Sequence, residues 1–261
     1  MTIVIYGGTI VNEGRAFEGS VLIQDDRITS IIEGKKAPCG HYDKCVDATG
    51  CFVLPGIIDE HVHFREPGLT AKADIDSESR AAAYGGVTSF FDMPNTVPQT
   101  TSLETLQAKH ELGRQHSHVN YTFIFGATNQ NADLIPTLNP HQVPAIKLFM
   151  GASTGNMLVD RRETLEQVFR TCPFPIIAHC EDSTLINANM QAYKLRLGEQ
   201  VDISLHPIIR SEAACYKSTA LAVALAKKYG TRLHVAHLTT AKELTFFGSD
   251  DNITAEAVIP H

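Results

Sequence analysis

From residue 52 onward the chain alternates short, nearly continuous apolar runs with longer stretches in which apolar residues recur every three or four positions. Runs of the first kind fall at 52–58, 87–92, 120–127, 145–150, 175–179, 232–237 and 253–259. They are too short for helices, so they predict strands buried on both faces. Stretches of the second kind predict helices over 76–84, 103–115, 162–170 and 212–229. In the last of these Ala213, Ala214, Tyr216, Ala220, Leu221, Val223, Ala224 and Leu225 form a broad apolar face, and Gly230 follows as a C-cap. Strand alternating with helix predicts an α/β fold with a parallel sheet covered by helices. Seven strands are one short of a closed (β/α)8 TIM barrel.

The first fifty residues have a different rhythm. Residues 2–11, 20–24 and 27–32 are β-rich runs broken by Gly7-Gly8, Asn12-Glu13-Gly14 and Asp25-Asp26, a pattern of hairpins without a helix. The expected organisation is a small β-rich domain over 1–51 and an incomplete barrel, ending at about its seventh strand, over 52–261.

Composition narrows the function. At 261 residues and 43% hydrophobic the chain can bury a sizeable core. A net charge of −7, with Lys and Arg scattered, argues against nucleic acid and against an anionic membrane surface as partners. No apolar stretch reaches membrane-span length, and Met1-Thr2-Ile3-Val4-Ile5-Tyr6 lacks the order of a signal peptide, so a cytoplasmic location is expected. Cys39, Cys45 and Cys51 are evenly spaced but form no C-x-x-C, and Cys172, Cys180 and Cys215 stand alone; reduced thiols are expected, not a zinc ribbon.

Candidate chemistry gathers at the ends of the predicted strands, where barrels of this class place their active sites. His61-Val62-His63 closes the first run, and two histidines at i and i+2 on an extended strand face the same way. His179 ends the fifth run, His237 the sixth, and Lys147 lies inside the fourth. A single strand-end histidine is also what a satisfied polar residue at a core edge looks like. Lys147 is less ordinary, because a buried ammonium is costly without a partner. Burial favours the neutral amine, which can take up carbon dioxide as an anionic carbamate with two oxygens for bridging cations. Four histidines and a lysine at one set of strand ends favour a metal site over five unrelated coincidences.

The run Asp59-Glu60-His61-Val62-His63-Phe64-Arg65-Glu66-Pro67-Gly68, with Lys147 in Ile146-Lys147-Leu148-Phe149-Met150, His179 and His237, resembles the cyclic amidohydrolases of the amidohydrolase superfamily, and the resemblance runs over essentially the whole chain. It implies two divalent ions, zinc, with His61 and His63 on the more buried ion, His179 and His237 on the more exposed one, and carbamylated Lys147 between them. Among these enzymes, Arg65 and Asn95 in Asp92-Met93-Pro94-Asn95-Thr96 resemble the dihydroorotase pattern, in which an Arg and an Asn bind the substrate carboxylate, with His63 adjoining. Arg65 also fits a loop salt bridge with Glu66 or Asp59, and Asn95 fits a turn. Allantoinase or hydantoinase activity is the alternative within the class, and a non-catalytic scaffold subunit the alternative outside it. The partner implied is a small molecule, with homo-oligomerisation left open. The resemblance also implies a catalytic Asp on an eighth strand, which is expected beyond His261, so these residues are expected to be part of a longer chain. The loop Gly151-Ala152-Ser153-Thr154-Gly155-Asn156 is either a substrate cover or an ordinary βα loop.

Overall fold

Pro55 and Gly56 split the first apolar run in two. In the computed structural model, which describes every residue except Ala152, Thr154, Pro260 and His261, Phe52–Val53 joins an N-terminal sheet and Ile57–Val62 starts the barrel strands. A single strand over 52–58 was the expectation; proline donates no ladder hydrogen bond and glycine weakens a strand interior, so the run breaks there.

The chain divides into two compact units, Met1–Ile57 and Ile58–His261. In the first, β1 (Thr2–Asn12), β2 (Arg15–Gln24) and β3 (Arg27–Glu33) form antiparallel hairpins. The β1–β2 turn uses Glu13 at φ 48 and Gly14 at φ 73, the left-handed pair that a two-residue hairpin loop requires. β4 (Lys44–Asp47) and β5 (Phe52–Val53) add parallel to β1. Val4, Ile10, Val21 and Ala48 are its buried apolar residues.

The second unit runs β6 (Ile57–Val62), α1 (Ile75–Tyr84), β7 (Val87–Asp92), α2 (Leu103–His116), β8 (Asn120–Phe123), β9 (Phe125–Gly126), β10 (Ile146–Phe149), α3 (Arg162–Thr171), β11 (Ile176–His179), α4 (Ser183–Leu197), α5 (His206–Ile209), α6 (Glu212–Tyr229), β12 (Leu233–Val235) and β13 (Ile253–Ala255). Neighbours follow sequence order: β6-β7-β8 in one sheet and β9 through β13 in the other. The pairs from β9 to β13, and β7 with β8, are parallel. β8 and β9 are one strand bent at Ile124, whose N–H donates to Asp92 O at 3.0 Å, while the next amide, Phe125, donates to Ala145 O at 3.3 Å. Among the described residues this is seven strands of an α/β barrel in sequential order, as expected.

Alternation along the strands sorts their side chains into two layers. Ile146, Leu148, Ile176, Ala178, Leu233 and Val235 pack in one cluster with helical Leu165, Val168, Phe169, Ala222, Val223 and Ala226. Met93, Ile124, Ala145, Ile177 and Ala236 form a separate inner cluster. Lys147, two residues from Ala145 and in register with Ile177, shares that inner face. Two helices were not expected. α4 buries none of its residues, so its sequence carries no apolar stripe; its start is marked by Asp182, whose side chain accepts from Leu185 N at 2.9 Å. α5 is a single turn.

Candidate metal centre

Four of the five predicted ligands stand at or just past a C-terminal strand end, and Lys147 is the second residue of β10. His61 lies in β6 with His63 just past it, Lys147 in β10, His179 at the end of β11, and His237 two residues beyond β12. Their rings form a connected set: His61 to His63 at 5.4 Å between centroids, His61 to His237 at 5.6 Å, and His179 to His237 at 4.8 Å. His179 Nδ1 and His237 Nε2 lie 3.0 Å apart. Lys147 is close enough for its charge to act on both His63 and His237.

Two carboxylates fix the ring protons. Burial works to raise the Glu181 carboxyl, but hydrogen bonds from His179 and Arg210 outweigh it and hold it at about 2. Glu181 is therefore an acceptor only, so His179 Nε2 carries the proton it donates at 2.7 Å and Nδ1 keeps a lone pair. Arg210 braces Glu181 from the other side through Nε at 2.7 Å and through Nη2. Glu256, directly after β13, does the same for His61: it is held below the usual carboxylate range by His234 and His61 against the effect of burial, and it accepts a hydrogen bond from the Nδ1–H. It also accepts from the His237 backbone N–H at 3.0 Å. Sequence reasoning missed both glutamates. Glu181 was findable two residues after His179 at the same strand end; Glu256 meets His61 across 195 positions, and only its place after a strand marks it.

Burial dominates the other titrations. It lowers His63 to about 3 and His237 to about 4, with the charge of Arg65 adding to the effect for His63 and that of Lys147 for both. Both imidazoles are thus neutral at neutral pH, the state in which they bind metal. Lys147 is 1% exposed, forms no ion pair among the described residues, and is lowered by burial to about 8. The donor set fits divalent cations on these observations. Neutral imidazoles offer bare nitrogens, and the 3.0 Å gap between His179 and His237 is close to the ~3.3 Å that two nitrogens on one tetrahedral ion require. Among the described residues, the group of three or more His, Cys, Asp or Glu whose ligand atoms all lie within 4.8 Å of one another is Glu60, His234 and Glu256; the predicted histidines meet as neighbouring pairs and do not form such a group.

Arg65 adopts φ 68, a left-handed backbone uncommon outside glycine, and its guanidinium forms no ion pair among the described residues. The salt bridge to Glu66 or Asp59 is not formed. Glu66 accepts from Ile75 N at 2.9 Å and faces His116 at 3.3 Å, and Asp59 accepts from His61 N at 3.1 Å. The Asn95 side chain lies against the His63 ring as a hydrogen-bonding neighbour, and its buried Oδ1 has no other polar partner among the described residues. The loops bearing Arg65 and Asn95 touch at Gly68, where a Cβ would come within 2.0 Å of Val97 O. The proposed covering loop over 151–156 includes Ala152 and Thr154, which lie outside the described residues.

Residues 50–133 match a family model described as dihydro-orotase-like. Dihydroorotase from Methanosphaera stadtmanae is 31% identical over 223 residues, covering 84% of this chain and 50% of the relative. Dihydroorotase from Methanothermobacter thermautotrophicus is 30% identical over 242 residues, covering 92% and 53%. Among solved structures, an L-hydantoinase (dihydropyrimidinase) from Arthrobacter aurescens superposes with a TM-score of 0.88 at 25% identity, over 98% of this chain and 58% of that one. The chain thus spans about half the length of the curated relatives it matches.

Proposed function

We propose that this chain, a relative of the dihydroorotase-like cyclic amidohydrolases, carries the metal-binding and carboxylate-binding parts of a dihydroorotase, which interconverts L-dihydroorotate and N-carbamoyl-L-aspartate in pyrimidine biosynthesis. The observation that supports it best is the gathering of four imidazoles and Lys147 in the barrel beside Arg65, which forms no ion pair among the described residues. His61 and His63 would hold one divalent ion, zinc, and His179 and His237 a second. When bound, such a pair supplies a hydroxide near neutral pH and polarises the ring amide carbonyl.

The side chains account for the rest. Lys147, lowered to about 8, is neutral often enough to attack carbon dioxide: an N–C bond forms, a proton leaves to water, and the resulting carbamate carries a negative charge between the histidine pairs. Glu181 and Glu256 keep the ring protons of His179 and His61 on the sides they face, leaving the opposite nitrogens for metal. Arg65 offers a planar fork of donors to the substrate carboxylate, and Asn95 adds an amide, so the anion is fixed and the scissile carbonyl turned inward. No helix among the described residues is long and apolar enough to cross a membrane, and we place the reaction in the cytoplasm.

Hydantoinase activity is the second reading, supported by the superposition on L-hydantoinase. Hydantoins lack the ring carboxylate, which would leave Arg65 without an anion. Full-length protein loaded with zinc and assayed on dihydroorotate, hydantoin and allantoin decides the matter. Preference for dihydroorotate is expected; preference for either neutral ring would overturn the dihydroorotase reading while leaving the metal site intact.

A further inference from the structure

The ends of β6 and β7, which bear His63, Arg65 and Asn95, are tied to one buried ion pair that the chemistry above does not use. Asp92 closes β7, and Lys109 enters from the middle of α2. Both side chains are fully buried, with Lys109 Nζ 2.7 Å from Asp92 Oδ2. Each also reaches the backbone at a strand end. Phe64 N donates to Asp92 Oδ1 at 2.9 Å, and Lys109 Nζ donates to Met93 O at 2.8 Å. Met93 N donates in turn to Val62 O at 2.9 Å. These bonds fall on both sides of His63, one residue before Arg65 and two before Asn95.

As a source of stability alone this pair is a poor choice, because the cost of removing two charges from water commonly equals or exceeds their attraction, and apolar residues of similar volume do as well. What an apolar pair cannot supply is an acceptor for Phe64 N and a donor for Met93 O. Arg65 has the most to lose, since its left-handed backbone persists only where its surroundings hold it. Gly68 and the bond from Val97 N to Pro67 O at 3.0 Å pass the same constraint to the loop carrying Asn95.

We propose that Asp92 and Lys109 are positioning residues that fix Arg65 and Asn95 for the substrate anion, through their two hydrogen bonds to the backbone at Phe64 and Met93. Their charges neutralise each other and take no further part. The nature of the anion rests on the dihydroorotase reading; the brace does not.

Two double variants of the full-length, metal-loaded protein test this. D92L/K109M fills the space without backbone partners, and D92N/K109Q is uncharged but keeps an acceptor and a donor. For D92L/K109M the expected result is a KM for dihydroorotate raised about tenfold or more, with kcat within about threefold and metal content unchanged. D92N/K109Q should keep KM within about threefold of the parent. A parent-like KM in D92L/K109M overturns the proposal, as does equal impairment of both variants, which would put the effect in the charges. Should D92L/K109M fail to fold, deuterium exchange over 59–68 in D92N/K109Q decides: parent-level protection supports the brace, and its loss overturns it. That exchange is read without substrate, so a parent that prefers hydantoin would defeat the substrate reading alone.

Discussion

His61 and His179 each donate a ring N–H hydrogen bond to a carboxylate, whereas His63 is held through the backbone around it. On the β11–β13 side the braces are Glu181, backed by Arg210, and Glu256, and they touch the imidazoles directly. On the β6–β7 side the brace is Asp92 with Lys109, and it touches only main chain. A carboxylate on a ring selects the tautomer, and so which nitrogen is free for metal. A bond to the main chain decides instead where the next side chains project. Damage on the first side should therefore appear in metal affinity, and on the second in substrate affinity.

Lys147 serves both sides, and its loss should have the largest effect. Lys147→Met would remove the proposed carbamate and should lower kcat/KM on the order of a thousandfold, read by turnover of the zinc-loaded protein. In the metal-free protein the sign reverses. The lysine is lowered from 10.5 to about 8, so the unfolded chain binds its proton more tightly. That penalty is whole below pH 8, shrinks as pH rises from 8 to 10.5, and is gone above. At pH 7 the variant should be more stable by about 3 kcal/mol in denaturant titration, with the gap closing as pH rises through that window.

Next in size is the side-chain brace. Glu181→Gln should weaken zinc binding about ten- to a hundredfold in chelator competition while leaving the KM of the fully loaded enzyme close to the parent's. A variant with unchanged zinc affinity and a raised KM would erase the contrast between the two sides. Arg65→Lys tests the other side: it keeps the charge but loses the fork, and should cost about 1.5–3 kcal/mol in kcat/KM for dihydroorotate with zinc content unchanged. The smallest effect is a control. Asp74 caps α1 by accepting from Ser77 N at 2.7 Å, and Asp74→Ala should cost about 1 kcal/mol in thermal unfolding while moving neither zinc affinity nor KM.

The elements that the sequence announced are those whose apolar pattern is local. The expected strand over 87–92 and helix over 212–229 match Val87–Asp92 and Glu212–Tyr229 at both ends. α4 escaped notice because it covers no core, and the last strand was drawn too long because the apolar run past Ala255 makes no ladder. At the candidate site, the histidines and Lys147 could be singled out from the sequence because strand periodicity limits the face on which such residues lie. Their braces were not. Asp92, Lys109 and Glu256 act on partners 16 to 195 positions away, and on an amphipathic helix nothing separates Lys109 from a lysine in water.

Ile124 lies between the sheets that carry the two histidine pairs. His61 and His63 belong to the sheet of β6, β7 and β8, while His179 and His237 belong to the sheet of β9 through β13, and one strand is common to both. Two successive amides, Ile124 and Phe125, bond in opposite directions there. A buried isoleucine thus stands where the two sheets meet, and the His61–Glu256 contact links residues of the two sheets a second time. A change of volume at Ile124 should alter the spacing between the two histidine pairs without replacing any histidine.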